Sequence, residues 1–155
     1  MTATPPLGSD EMPAGSSHEQ QAAEGVMLAV LGDRVGVRLM PRRFEHLSGA
    51  SVNVDGADVD LTALVECWAH QGPAKGAQKL KLVNDAVKLH WIAQSLPTKA
   101  RRLILCVSDE AAVRHLRGKS WQGQAIAALG VEIEVTALPP EMVHELIAAQ
   151  ARQFR

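Results

Sequence analysis

The chain has no Tyr, two Phe and three Trp in 155 residues. An aromatic-rich core is thereby excluded, and the core must rest on Val, Leu, Ile and Ala. Burying one of the larger of these side chains is worth about 1.5–3 kcal/mol. Hydrophobic residues make up 46% of the sequence, enough for one domain of this length. Cysteine is scarce as well. Cys67 and Cys106 are the whole complement, each inside an apolar run, so both read as small buried hydrophobes, and a CxxC-type zinc site is excluded. The histidines His18, His46, His70, His90, His115 and His144 have no metal-ligand spacing among themselves. No apolar run approaches the length of a membrane span. Residues 1–17 lack the basic and apolar regions of a signal peptide, so a reducing, cytoplasmic location is expected. An excess of charge of one sign is missing too. The formal net charge is −1, which does not by itself mark a nucleic-acid partner.

The distribution of charge says more. Residues 1–70 hold ten acidic and four basic side chains, and residues 71–102 hold seven basic and one acidic. Such asymmetry can focus a positive field on one surface.

The run MTATPPLGSDEMPAGSS predicts a disordered N-terminal tail over residues 1–17, leaving 18–155 as a single domain. Ala22, Ala23, Val26, Met27, Val30 and Leu31 recur at helical spacing. They predict a helix from His18 to Leu31, capped by Ser17 and ended by Gly32. Its Glu19 and Glu24 read as solvated. Residues Val35 to Met40 read as a strand stopped by Pro41. The run SVNVD puts Val52 and Val54 on one face and Ser51, Asn53 and Asp55 on the other, and Gly56 is predicted to turn the chain.

The next run, LTALVECWAH, is continuously apolar apart from Glu66. Such a run reads as a central strand covered on both faces, and a carboxylate inside it needs a partner or a metal. His70, at its end, reads as a surface loop residue. A long helix is predicted from Ala74 to Leu96, with Leu82, Leu89, Ile92 and Leu96 as its buried stripe. Gln78, Lys81, Asp85 and Lys88 share another face. The run RRLILCV is a strand. Ser108 then reads as an N-cap before a short helix from Asp109 to Leu116. A second short helix over Trp121–Leu129, an edge strand VEIEV and a final helix after Pro140 complete the chain. The fold class is α/β (α+β), with a central mixed sheet flanked by helices.

The order helix, three strands, long helix, strand places Asp55 on the second strand and Glu66 on the third. Over His18 to Val107 this αβββαβ arrangement resembles the PD-(D/E)xK restriction-endonuclease-like superfamily, with a helix-strand-helix added at the C-terminus. The run VECWAHQGPAKGAQKLKLVNDAVKL also looks like an uncharacterised bacterial branch of that type. The resemblance implies that Asp55 and Glu66 bind Mg²⁺ and that a lysine two residues after the Glu orients or activates the attacking water. Here Val54 precedes Asp55 where the pattern has Pro, and Trp68 stands where the lysine belongs. Some members move that lysine to the following helix, which makes Lys81, with Lys79 as the other choice, the expected replacement.

The activity implied is that of a metal-dependent nuclease cleaving phosphodiester bonds in DNA or RNA, with Asp55, Glu66 and Lys81 as catalytic residues. Mg²⁺ prefers oxygen ligands and keeps several waters, so two carboxylates suffice. Lys75, Lys79, Lys88, Arg101 and Arg102 are expected to supply nonspecific contacts to the nucleic-acid backbone. The alternative is a catalytically inactive module on the same scaffold that binds nucleic acid or another protein. A third class is an unrelated α/β interaction protein, with the carboxylates pointing to separate surfaces.

Overall fold

The computed structural model describes residues 1–3, 18–97 and 101–153. Six strands form one mixed sheet in sequence order: β1 (Thr2–Ala3), β2 (Met40–Glu45), β3 (Ser51–Ala57), β4 (Ala63–Trp68), β5 (Arg102–Val107) and β6 (Val131–Val135). Neighbours from β1 to β4 are antiparallel, and β4, β5 and β6 run parallel. The helices are α1 (His18–Val35), α2 (Gln78–Ser95), α3 (Trp121–Ala128) and α4 (Pro140–Gln153), with a 3-10 helix over Glu110–Leu116. This is the α/β class expected, with helices on both faces of a mixed sheet.

The alternation along β4 shows how the layers form. Leu64 and Trp68 pack into the core that also holds Leu82, Leu89 and Ile92 of α2. Ala63, Val65 and Cys67 pack on the opposite face with Met27 and Leu31 of α1 and Leu146 of α4. All six residues of β4 are buried, as a strand covered on both faces must be. The β4–β5 crossover is α2, which gives the parallel pair its connection. No helix among the described residues is long and apolar enough to cross a membrane.

Several local expectations shift. The first helix does not stop at Gly32 but runs to Val35, and Gly36, at φ 80°, ends it. The Gly36 and Val37 amides both donate to the Gly32 carbonyl, at 2.8 and 3.0 Å. Gly32 is needed for a different reason: a Cβ there would sit 2.6 Å from the Val37 carbonyl oxygen. The strand expected at Val35–Met40 therefore begins where it was thought to end. Pro41 lies inside β2, at the register shift between Met40 and Arg42, where a missing N–H costs little. Gly56 does not turn the chain. It lies within β3, and a Cβ on it would come 2.5 Å from Leu28 Cδ2. The turn comes later, at residues 58–62. There Leu61 takes φ 57°, and the buried Asp58 carboxylate accepts from the Thr62 hydroxyl and the Ala63 amide.

Of the residues read as a tail, Thr2–Ala3 pairs with Phe44 and Glu45 of β2. Residues 4–17, including the expected cap Ser17, lie outside the described residues. The cap of the 3-10 helix is Asp109, which accepts from the Ala111 amide, rather than Ser108. Ser108 instead donates to the His70 carbonyl and accepts from Gln71. His70 is buried, not at the surface, with its ring stacked on Trp68 at 4.5 Å.

Candidate active site

The site grows from a split in the sheet. Strands β3 and β4 pair at Ala57↔Leu64 and Gly56↔Val65. One step further the backbone ladder gives way to side chains. The Cys67 amide donates to Asp55 Oδ2 at 2.8 Å, and the Asp55 amide donates to Glu66 Oε1 at 3.3 Å. The two carboxylates thus fill the gap where the strands part, each accepting from an amide that the ladder would otherwise have used. Asp55 Oδ1 and Glu66 Oε2 take no hydrogen bond among the described residues.

Helix α2 crosses this gap with the face expected of it. Lys88 Nζ lies 2.9 Å from Glu66 Oε1 and donates to the Asn53 carbonyl at 3.0 Å. Two turns earlier, Lys81 Nζ lies 2.7 Å from Asp85 Oδ2. Burial alone would lower the pKa of the Lys81 ammonium. Asp85, with Glu66 and Asp55 behind it, more than offsets that and holds it above the ordinary lysine value. Helix α1 contributes Glu24. Burial, then the charge of Asp55, pushes the Glu24 carboxyl up to about 8, against the pull of Lys81. Burial and Asp55 likewise push Glu66 up to about 8, against the pull of Lys88.

The cluster holds more acids than bases. With all six groups ionised, Glu24, Asp55, Glu66 and Asp85 stand against Lys81 and Lys88, leaving two negative charges in excess. Protons on Glu24 and Glu66 remove that excess, and so would one divalent cation. Among the described residues no group of three or more His, Cys, Asp or Glu is arranged to hold a metal by itself. What the cluster could offer a divalent cation is one oxygen each from Asp55 and Glu66, with water or phosphate oxygens left to complete the shell.

A groove of about 920 Å³ opens beside the cluster, between α1 and strands β2 and β3. Glu24 and Asp55 line it, together with Leu28, Ala29, Met40 and Val54. A cavity of this size suits a small organic group held by apolar walls and a few polar atoms.

The residues expected at the site divide as follows. Asp55 and Glu66 come together, and Lys81 joins them through Asp85. Lys88, expected on an outer basic face, turns inward and is the cation in contact with Glu66. Lys75 and Lys79 are exposed near the start of α2. Arg101 and Arg102 are elsewhere. Arg102 pairs in register with Ala63, three residues before Glu66, or about 10 Å along the strand. Its guanidinium is held by Glu132 at 2.6 Å, with Glu134 at 3.9 Å. The five cations therefore do not form one surface. Glu24, which reads as solvated in the sequence, is largely buried. Its neighbours at the next helical positions, Met27, Leu28 and Leu31, are all buried, and that spacing was the available signal that it faces inward.

Comparison of the chain with family models, with curated proteins and with solved structures finds no match.

Proposed function

We propose that the protein is a metal-dependent phosphodiesterase acting on nucleic acid, built on a restriction-endonuclease-like scaffold. The observation that carries this reading is the split between β3 and β4, where Asp55 and Glu66 each keep one oxygen that takes no hydrogen bond among the described residues, in a cluster whose acids outnumber its bases by two. Mg²⁺ bound there would lower the pKa of a bound water and stabilise charge on the phosphate. Asp55 and Glu66 would hold the cation, and their positions are set by the Cys67 and Asp55 amides. Glu24, with its carboxyl near 8, is suited to hold or release a proton close to neutral pH. Lys81 keeps its proton across the working range and supplies fixed positive charge toward the developing oxyanion. Lys88 orients Glu66 by direct contact.

A second reading is favoured by one observation: Lys88 Nζ lies 2.9 Å from Glu66 Oε1, so a cation already pairs with that carboxylate, as in an inactive module that only binds. Titration calorimetry with Mg²⁺ and Mn²⁺, run beside cleavage of end-labelled oligonucleotides, separates the two. Metal-dependent cleavage abolished by Asp55→Asn and by Glu66→Gln, in proteins that still fold, supports the enzyme. Absence of metal heat together with absence of cleavage in the wild type refutes it and leaves the binding module.

A further inference from the structure

We propose that the groove along α1 is a blind pocket for the terminal nucleoside of a nucleic-acid strand, so that the candidate site works from strand ends and not within a chain. This rests on the phosphodiesterase reading above and names the part of the substrate that the site admits. The groove begins at the acid cluster, where Glu24 and Asp55 line it. Its helical wall runs from Gln21 to Asp33, about 18 Å at the rise of an α-helix. A phosphate held at Asp55 and Glu66 therefore has the groove beside it for its organic arm.

The far end is closed by the chain itself. The walls belong to α1 and β2, and residues 36–39 join those two elements directly. That connection is tied to the helix. The Gly36 and Val37 amides both donate to the Gly32 carbonyl, and a Cβ on Gly32 would lie 2.6 Å from the Val37 carbonyl oxygen. A strand end can enter from the acid cluster, but a continuing strand cannot run on along the groove.

The lining sets what the pocket accepts. Leu28, Leu39 and Val54 are buried along it. Gly25 and Ala29 stand one turn apart on the helical wall, both exposed. A mid-helix glycine costs about 1 kcal/mol relative to alanine. At Gly25 a Cβ would meet nothing within 4 Å, so no packed neighbour calls for the glycine, and its effect is to keep the groove wide. Gln21 and Asn53 add side-chain amides to the lining. Such groups donate and accept, as a base edge or a sugar hydroxyl requires and a hydrocarbon does not. The volume of about 920 Å³ is that of a pocket for one small organic molecule.

Charge excludes a longer polyanion. A continuing backbone needs cations for several phosphates. Among the described residues Arg38 is the only Lys or Arg that lines the groove, and Asp33 lines the same end. Lys81, Lys88 and Arg102 are each held by a carboxylate. The arrangement suits a base and sugar inside the groove with one phosphate at its mouth.

The test uses the full chain and has two arms. In the first, calorimetry follows binding of the thymidine dinucleotide TpT in Ca²⁺ and again in EDTA. Wild type should bind in Ca²⁺ and lose most of that affinity in EDTA. Ala29→Trp and Gly25→Phe, which fill the groove from exposed positions, should each weaken binding by roughly tenfold or more, while Trp121→Ala on α3 changes nothing. In the second arm, a linear single strand and a covalently closed circle of the same sequence are incubated in Mg²⁺. The linear strand should shorten from an end while the circle survives. A circle cut as fast as the linear strand overturns the inference and keeps the enzyme. TpT binding that survives both groove variants, or that EDTA leaves unchanged, overturns the pocket whatever is cleaved. TpT binding lost in both variants, with neither DNA cleaved, keeps the pocket and loses the enzyme. Absence of both binding and cleavage overturns both.

Discussion

Glu24 and Glu66 should make the protein less stable as pH rises through neutrality, opposite to the behaviour of paired surface carboxylates. Each carboxyl is pushed up to about 8 in the folded chain from an ordinary value of 4.5. Between those values the folded state holds a proton that the unfolded state has released, so stability falls with rising pH. The loss begins above about 4.5, continues to about 8, and is complete beyond it. His70 works in the other sense, because burial lowers its pKa from 6.5, but that contribution is confined to lower pH. The clean window is therefore 6.5 to 8. Each retained proton changes stability there by about 1.4 kcal/mol per pH unit, or about 2 kcal/mol across the window for one carboxyl. In a chain of this size 1 kcal/mol moves Tm by about 2–4 °C, so one carboxyl accounts for about 4–8 °C. Glu66→Gln and Glu24→Gln, which copy the protonated forms, should each remove about half of the slope, and the double variant should flatten it. Millimolar Mg²⁺ should raise Tm most at pH 8, because it replaces the protons. Thermal melts at half-unit steps of pH measure all of this. A wild type whose Tm is level or rising from pH 6.5 to 8, or a slope that survives in the double variant, refutes the buried-carboxylate reasoning.

Lys88→Met removes the cation in contact with Glu66. Its melts should show little loss at pH 6 and up to about 1.4 kcal/mol more at pH 9, one unit above the wild-type Glu66 value, because without the cation that carboxyl keeps its proton. Gly56→Ala places a Cβ against Leu28 Cδ2, one helical turn from Glu24. Denaturant unfolding should show a cost of about 1–3 kcal/mol, and the pH slope due to Glu24 should diminish as α1 lifts from the sheet. Ala29→Trp, at an exposed position lining the groove, should reduce oligonucleotide cleavage at least tenfold while leaving metal heat and Tm nearly unchanged. Lys81→Ala should lower the cleavage rate by about 10²-fold with calorimetric metal affinity largely retained.

The sheet was legible where the sequence supplies continuous apolar runs. Residues 61–70 and 101–107 contain buried strands because Val, Leu, Ile and Cys there have partners on both faces. The misplaced elements turn on Gly and Pro. Gly32 and Gly56 look like chain terminators, yet Gly32 lets the Val37 carbonyl fold back against the end of its own helix and Gly56 lets Leu28 of α1 come close to β3. Local pattern carries no signal for such contacts. Pro41 looks like a strand stop, yet it rests at a bulge. The site divides in the same way. Asp55 and Glu66 stood out as carboxylates in apolar runs. The roles of Glu24 and Lys88 depend on how α1 and α2 sit across the split, which only the packed chain defines. The neutralisation of Arg102 by Glu132 and Glu134 of β6 likewise follows from strand order rather than from spacing.

Satisfying the backbone does not require these carboxylates to be acids. An Asn at 55 offers one oxygen to the Cys67 amide as well as Asp55 does, and a Gln at 66 offers one to the Asp55 amide. Either amide would avoid desolvating a charge, a cost of several kcal/mol for a buried ion. Lys88 relieves part of that cost at Glu66, but Asp85 already engages Lys81. Glu24 takes no hydrogen bond among the described residues and lies where Asp55 and Asp85 both oppose its ionisation. The ion pair with Lys88 gives Glu66 a structural reason to be an acid, but Asp55 and Glu24 have no such partner among the described residues. On the function proposed above, a divalent cation would supply the reason, with those oxygens as ligands or proton sites. The metal titration of the wild type is thus also the measurement that decides why acids stand at this split in the sheet.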